Sequence, residues 1–446
     1  MDSIRRAVAF TTNMIRTTAR SNIARQSAGY IAAVITSNLM ALLTTSVLTR
    51  ILTVDDYSEY VFGLNLLVFL SLFFELGMFY PAAQLIAKAN EPEARTLTGA
   101  AMILWLGASV LFSLTVLLLT FGPLQAIFKI HTANELRIVA PLAGAWLATE
   151  LALLFAQGHG RLHRFSATSV VTSGLLLVSV VAALAAGGHP GPTLVLALYG
   201  ASLLVGSVAC FAWFRPTFHQ WKLSTRVILM QTRVWGLNSF LGRVLSMGTY
   251  RLDVIMLGAL SGSTPVASYV LATALTTPVG LPGLSSATAL FKRMTRVTQI
   301  DRRWILGPLI VSLGATAALG LAGSPIVDLL FSTKYGTVPP LLVPLALAAM
   351  LQGTTAMYNR FLFAHERGKE LRTTAFWLAG ANVIFNVALI PTFAALGAAW
   401  ASVAALVVNL IAHVLPYRRI VHEFGVADVA TGVEKLDTAP RHKAFG

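Results

Sequence analysis

The sequence predicts an all-α polytopic membrane protein with about twelve transmembrane helices in two six-helix lobes. Three observations predict this fold class. Of the 446 residues, 56% are hydrophobic and only 11% are charged, whereas about a quarter of the residues of a soluble domain are charged. The mean hydropathy is +0.72. Long apolar runs recur along the chain, and Lys and Arg are concentrated in alternate loops between them.

Twelve apolar runs are long enough to cross a bilayer, which takes about 20 helical residues. Six lie in a predicted N-lobe, 27–214, near 27–49, 60–87, 98–121, 138–157, 166–187 and 193–214. Six lie in a predicted C-lobe, 234–415, near 234–260, 265–291, 304–331, 341–364, 373–392 and 394–415. A leader (1–26), a basic linker (215–233) and a tail (416–446) complete the predicted organisation.

The loop charges predict the orientation. Of 33 Lys and Arg residues, 26 fall on one side of the predicted membrane, four on the other and three inside helices. Loops rich in Lys and Arg stay in the cytoplasm, so we expect both termini and the linker to be cytoplasmic. This distribution accounts for the net charge of +15 without a nucleic-acid partner. The basic leader is either an amphipathic helix on an anionic membrane surface or a disordered arm.

Cysteine usage and the N-terminus limit the remaining possibilities. Cys210 is the single cysteine and lies in an apolar run, so we expect neither a disulfide framework nor a cysteine-based metal site. The first apolar run begins behind 26 mostly polar residues. That is longer than the n-region of a signal peptide, and we therefore expect the first helix to remain in the protein.

The most informative run is VWGLNSFLGRVLSMGTYRLDVIMLGAL at 234–260, because it contains Arg243, Arg251 and Asp253. A charge at such depth costs about 3 kcal/mol on insertion scales and usually lines a cavity or a pathway. The alternative is structural: Arg243 snorkels to the headgroups and Arg251 forms an ion pair. Residues two apart on a helix are rotated by about 200°, so Arg251 and Asp253 point to opposite faces. Arg243 and Arg251 share one broad cationic face.

Other polar residues within the apolar runs extend the candidate site. Glu75, in LSLFFELGMFY, is expected mid-helix, either facing a cation or carrying a proton. Glu150 lies in WLATELALL, and Asn359 and Arg360 lie in AMYNRFLF. Arg360 is about four residues from the predicted cytoplasmic end, so snorkelling is as good an interpretation as substrate contact.

The two halves resemble each other in sequence. Phe128 and Phe331 precede a Pro-Leu-Ala motif by the same distance, and both positions are offset by 203 residues between the halves. Tyr60 and Tyr269 are offset by 209. Two copies with six helices each have the same orientation, which predicts a pseudo-twofold axis along the membrane normal and a substrate site between the repeats. Chance matching of apolar segments is the alternative.

Four segments resemble a known family: LTRILTVDDYSEYVFG with FELGMFYPAAQLIAK, YRLDVIMLGALSGSTPVASYVLA, IVDLLFSTKYGTVPPLLVPLAL and NVIFNVALIPTFAALGAAWAS. They are similar to polysaccharide flippases of the multidrug/oligosaccharidyl-lipid/polysaccharide (MOP) exporter superfamily. The resemblance covers nearly the whole chain. It implies a MATE-like fold and a cationic cavity, whose lining corresponds here to Arg243 and Arg251.

The resemblance also implies a function. Such a protein flips undecaprenyl-pyrophosphate-linked oligosaccharide from the cytoplasmic to the periplasmic leaflet of a bacterial inner membrane, for O-antigen, exopolysaccharide or capsule synthesis. The expected site combines a substrate cavity (Arg243, Arg251, Arg360, Asn359) with charge-balancing residues (Asp253, Glu75, Glu150). No covalent chemistry, cofactor or metal is expected, and coupling to H⁺ or Na⁺ is possible. Polymerase and chain-length proteins are the expected partners beside the lipid bilayer.

Two other functions fit parts of the sequence. A cation-coupled multidrug exporter of the same superfamily needs acidic or aromatic walls for cationic drugs, whereas two deep arginines favour anions. An integral-membrane glycan polymerase or ligase shares the polyprenyl substrate. Such an enzyme generally needs an extended outer loop with acid and base groups, and the outer loops predicted here are short.

Overall fold

In a computed structural model the described chain comprises residues 22–123, 132–294, 297–365 and 367–437. Every regular element in these ranges is helical, as predicted. The longer helices are α1 Asn22–Ile51, α2 Val54–Phe74, α3 Phe79–Lys88, α4 Glu91–Leu119, α5 Ala133–Val139, α6 Gly144–Gly158, α7 Leu162–Ala185, α8 Pro192–Trp213, α9 Trp221–Gln231, α10 Leu237–Ser261, α11 Ser263–Met294, α12 Arg302–Phe331, α13 Pro339–Ala364 and α14 Gly368–Asp437. Most of the leader, and Phe128 of the repeat argument, lie outside the described residues.

The predicted helix count is not confirmed. Within the described ranges, seven helices are long and apolar enough to cross a membrane, or eight if one bent pair counts as a single span. Most of the predicted runs coincide with helices, but 60–87 and 138–157 are each divided between two elements. The two runs 373–392 and 394–415 belong to α14, which is interrupted where Ala394 takes φ 48° and ψ −126°. The chain is therefore a multi-pass helical membrane protein.

Local sequence sets the beginnings of α2 and α4. The Thr53 hydroxyl accepts a hydrogen bond from the Asp56 backbone N–H at 3.0 Å. The Asn90 side chain accepts one from the Glu93 backbone N–H at 3.0 Å, and Pro92 occupies the first turn of α4. Such caps satisfy N–H groups that have no partner within the helix.

The structure corrects the prediction that Glu75 lies mid-helix. The run 60–87 forms two helices: α2 ends at Phe74, Glu75 follows as its C-terminal cap, and α3 begins at Phe79. Gly77 in this break has φ 68°, and a Cβ there would lie 2.7 Å from the Gly236 carbonyl oxygen. The break therefore depends on a glycine, both for its backbone conformation and for the close approach of another backbone.

A second predicted run is also broken. Residues 133–142 and 144–158 meet at an angle of 47°, with Pro141 in a 3₁₀ turn between α5 and α6. Its counterpart in the repeat argument, Pro344, lies inside the uninterrupted helix α13. The two Pro-Leu-Ala motifs therefore have different local structures. Proline removes a backbone hydrogen bond from a helix, and the chain turns at Pro141 but continues as a helix through Pro344.

Contacts divide the chain into two compact units, residues 1–267 with 330–334, and residues 268–329 with 335–446. In the first unit α1 packs on α7, α8 packs on both α6 and α7, and α10 packs on α2. In the second unit α13 packs on α14. Helix α10 thus belongs to the first unit by contacts, and the lobe boundaries at 215 and 233 stay a prediction.

Glycines bring α11 close to α13 within the second unit. A Cβ on Gly283 would lie 2.5 Å from the Gly353 carbonyl oxygen, and one on Gly280 would lie 2.6 Å from that of Ala349. Small residues at facing positions let membrane helices approach closely. This packing predicts which glycines the fold requires.

We expect Gly283→Ala to destabilise the protein by about 1–3 kcal/mol, because the added methyl overpacks a backbone contact. The measurement is thermal unfolding of purified protein in detergent, followed by tryptophan fluorescence. Gly307→Ala in α12 is the matched control, since no atom lies within 4 Å of a Cβ there. Equal melting temperatures for the two variants would contradict the role assigned to Gly283.

Candidate functional site

The contact between α2 and α10 places an amide against a charge. Asn65 on α2 is buried, and its Oδ1 accepts a hydrogen bond from Arg251 Nη1 at 2.8 Å. Asn65 Nδ2 donates to the Val61 carbonyl at 2.7 Å, one turn earlier in the same helix. That second bond orients the amide, because a carbonyl only accepts and so fixes which end of the amide is nitrogen.

The Asn65 amide holds Arg251 without neutralising it. An arginine has five N–H donors and remains charged at any physiological pH. Arg251 donates the hydrogen bond that orients it to a neutral amide, so this bond leaves the positive charge in place. Arg251 is exposed, whereas Asp253, two residues further along α10, is buried. The different environments of these two side chains agree with the expected separation of their faces.

Helix α8 brings an aromatic hydroxyl to the same region. Tyr199 lies within electrostatic range of the Arg251 guanidinium. Its ring centroid is 6.1 Å from that of Trp146 on α6. A phenol hydroxyl is both a donor and an acceptor, so Tyr199 is a polar group near the charge.

Tyr199 also lines a cavity of about 150 Å³ within the first unit, formed by residues of α1, α6, α7 and α8. Sequence analysis did not identify this cavity. Its wall is rich in hydroxyl groups, from Thr44, Thr149, Thr168, Ser169, Thr172, Ser173 and Ser207. A signal was present in the SATSVVTS segment at 166–173, whose Ser and Thr residues recur at helical spacing on one side of α7.

Several hydroxyl groups of this cavity donate their hydrogen to a carbonyl of their own helix. The Thr44, Thr149 and Thr172 hydroxyls donate to carbonyls four residues earlier, at 2.9, 3.1 and 2.9 Å. Ser169 does the same at 3.0 Å. A hydroxyl has one hydrogen and two lone pairs, so these groups can offer acceptor oxygens. The cavity suits a ligand that donates hydrogen bonds.

The other predicted residues lie on several different elements. Glu75 is buried at the break between α2 and α3, and Glu150 is half-buried on α6. Asn359 and Arg360 are half-buried on α13 in the second unit. There Asn359 Nδ2 lies 3.2 Å from His413 Nε2. The side chain of Arg243 lies outside the described part of the chain, so its predicted role is still a prediction.

Part of this chain matches a known protein family. The model of a family described as "Polysaccharide biosynthesis protein" matches residues 23–298. No curated protein matches the sequence.

Solved structures match the whole fold. A lipid II flippase, MurJ, in an inward closed conformation has a TM-score of 0.68 at 14% identity, covering 93% of each chain. An inward-facing multidrug resistance transporter of the MATE family in the MOP superfamily has a TM-score of 0.66 at 15% identity, covering 87% of this chain and 95% of that one. A MOP transporter from Pyrococcus furiosus, described as having a binding pocket of reverse polarity, scores 0.62 at 16% identity, covering 90% and 95%. The predicted MOP fold is confirmed.

We expect Asn65→Asp to weaken binding of inorganic pyrophosphate about tenfold, equivalent to about 1.4 kcal/mol, because a carboxylate at this distance neutralises Arg251. Binding is measured by calorimetry on the protein in nanodiscs. Arg302→Gln is the matched control, since it lowers the net charge by the same single unit at an exposed position outside the site. Equal loss in both variants would show that only the overall charge matters.

Proposed function

This chain belongs to the polysaccharide biosynthesis protein family, and we propose that it flips undecaprenyl-pyrophosphate-linked glycan units from the cytoplasmic to the periplasmic leaflet of a bacterial inner membrane. It works by alternating access, without covalent chemistry. The product feeds the synthesis of O-antigen, exopolysaccharide or capsule. Both termini are cytoplasmic, and polymerase and chain-length proteins of the pathway act beside it.

One observation carries this proposal: the guanidinium of Arg251 on α10 is oriented by a hydrogen bond to the neutral, buried amide of Asn65. Guanidinium groups bind the oxygens of phosphate groups through paired, charge-assisted hydrogen bonds. A cationic drug gains nothing from that group, whereas a pyrophosphate does. Placing a positive charge within apolar surroundings is costly unless it has a function.

The proposed mechanism assigns the charges in order. Arg243 meets the pyrophosphate as it enters from the cytoplasmic half, and Arg251 relays it outward. Asp253 and Glu75 balance these positive charges when the site is empty and couple the cycle to H⁺ or Na⁺. Arg360, Asn359 and Glu150 contribute polar surface to the route. The polyprenyl tail remains in lipid throughout, because its transfer from the bilayer would expose apolar surface to water.

The hydroxyl-lined cavity beside Tyr199 supports a sugar substrate. Its threonines and serines offer acceptor oxygens, and each sugar hydroxyl is a donor that needs such an acceptor. A wall with several separate acceptor oxygens binds a glycan weakly and in more than one orientation, as a transporter requires if it is to release its substrate.

The decisive assay measures flipping of lipid-linked oligosaccharide in proteoliposomes. We expect Arg251→Ala to reduce the flipping rate by about a hundredfold, corresponding to about 2.7 kcal/mol, because the transition state loses its phosphate contact. Arg251→Lys retains the charge without the paired donors and should be intermediate. Arg302→Gln should flip at the unmodified rate. Normal flipping by the Arg251→Ala protein would refute the assignment.

The second candidate function is cation-coupled multidrug export. It is favoured by the similarity in fold to MATE-family transporters. Overexpression in a drug-sensitive strain separates the two functions. We expect no increase in resistance to cationic drugs, because Arg251 repels them. A several-fold increase that survives in Arg251→Ala would support the exporter instead.

A further inference from the structure

A buried histidine in the second unit has no role in the mechanism above. His413 lies on the second part of α14 and is only 3% exposed. Histidine is the side chain whose ordinary titration falls near neutral pH. A buried histidine in an apolar helix bundle is either a fixed structural hydrogen-bonding group or a place where a proton is taken up and released.

The hydrogen bonds of one ring nitrogen determine the tautomer. His413 Nδ1 lies 2.8 Å from the Asn409 carbonyl oxygen, one turn earlier in the helix. A carbonyl only accepts, so Nδ1 carries a hydrogen whether the ring is neutral or charged. A change of protonation must therefore take place at Nε2.

The surroundings of Nε2 provide a partner for each state of the ring. Asn359 Nδ2 lies 3.2 Å away and can donate to the unprotonated nitrogen. Thr374 Oγ1 lies 3.3 Å away. The single hydrogen of that hydroxyl is donated to the Leu371 carbonyl at 2.8 Å. While that hydroxyl donates to Leu371, its oxygen is an acceptor, and a protonated Nε2 is a donor within its reach.

The two neighbours of Nε2 therefore suit different protonation states of the ring. With the neutral ring, the Asn359 amide is satisfied and the Thr374 oxygen faces a lone pair. With the charged ring, Nε2–H donates to Thr374, and a turn of the Asn359 amide presents its oxygen as a second acceptor. Both states are hydrogen-bonded, so neither suffers the full cost of a buried polar group without a partner.

A cavity also lies beside Thr374, the hydroxyl partner of the ring. A cavity of about 370 Å³ in the second unit is lined by Thr374 and by Ala412, the residue before His413. Its wall also carries charged residues at the predicted cytoplasmic ends of both parts of α14. They are Lys369 and Glu370 in the first part, and Arg419 and Glu423 in the second. Arg367 pairs there with Glu423 at 2.8 Å and with Glu370 at 3.8 Å.

Other ionisable residues occur on the helices packed around the ring: Tyr358 and Arg360 on α13, Arg372 on the first part of α14, and Tyr417 and Arg418 on the second. The hydrogen-bonding partners of the imidazole itself are neutral. A proton added there remains a new local charge instead of being cancelled by a carboxylate bonded to the ring.

We propose that His413 is a proton-binding site of this protein, loaded and unloaded at Nε2 through the cavity beside Thr374. The proton-binding site is inferred from the structure alone. Its role, which is to couple the transport cycle to protons, rests on the proposed flippase function. In each cycle Nε2 gains one proton from water and later returns it to water in the cavity, with no other bond made or broken.

The direct test does not depend on a substrate. Full-length protein with ¹⁵N-labelled histidine is titrated by NMR in nanodiscs, and His413→Gln identifies the signal. The titration runs from about pH 8 to pH 4, which covers the ordinary pKa of histidine and values below it, and we expect the His413 Nε2 resonance to report protonation within this range. Thr374→Val should shift the midpoint to lower pH by removing the acceptor of the charged form, while Thr374→Ser should restore it. A ring that stays neutral across this range, or a midpoint unchanged by Thr374→Val, overturns the proposal.

A transport test then examines the coupling. Flipping of lipid-linked oligosaccharide in proteoliposomes is compared with and without a pH gradient. We expect the acceleration by the gradient to be lost in His413→Gln and retained in His422→Gln, an exposed histidine on the same helix. Acceleration that persists in His413→Gln overturns the coupling role. If the unmodified protein flips no glycan lipid, the proposed function fails, whereas the titration still decides whether His413 binds a proton.

Discussion

The hydrogen bond between the Arg251 guanidinium and the neutral, buried amide of Asn65 is the interaction on which the functional interpretation depends. A carboxylate partner would stabilise Arg251 more strongly and would remove its capacity to bind an anion. The amide of Asn65 instead orients the guanidinium at 2.8 Å and leaves its charge in place. Because Asn65 is itself fixed by the Val61 carbonyl, the orientation is set by helix α2 before any ligand binds.

The close packing of two backbone segments helps to position Asn65 and Arg251. Helix α2 must end near Glu75 so that α3 can turn away, and the turn requires Gly77 in a left-handed conformation against the backbone of Gly236. That contact lies just before α10, the helix that carries Arg251. A larger residue at Gly77 would strain the turn and separate the two backbones, so the position of the charge depends on a residue with no side chain.

Hydroxyl groups at the cavity beside Tyr199 and at His413 donate their hydrogen in the same way. In the first unit, hydroxyls of α1, α6 and α7 donate to their own helices and are left with acceptor oxygens at a cavity. In the second unit, Thr374 donates to Leu371 and is left as an acceptor for His413. Within a membrane, satisfying a hydroxyl hydrogen inside its own helix is inexpensive, and it makes each site selective for donors. A sugar hydroxyl and an imidazolium N–H are both donors.

Sequence alone determined the class of this protein, because hydropathy, run length and loop charge follow directly from what a bilayer demands of each segment. It also predicted the separation of Arg251 from Asp253, which depends only on the geometry of one helix, whereas the role of Arg251 stays a prediction. It did not reveal the break at Glu75, the partner of Arg251 or the hydroxyl cavity, and it gave His413 no role. Each of these depends on residues far apart in the chain, such as Asn65 and Arg251, or Asn359 and His413, and only the packing of one helix on another decides which polar groups meet.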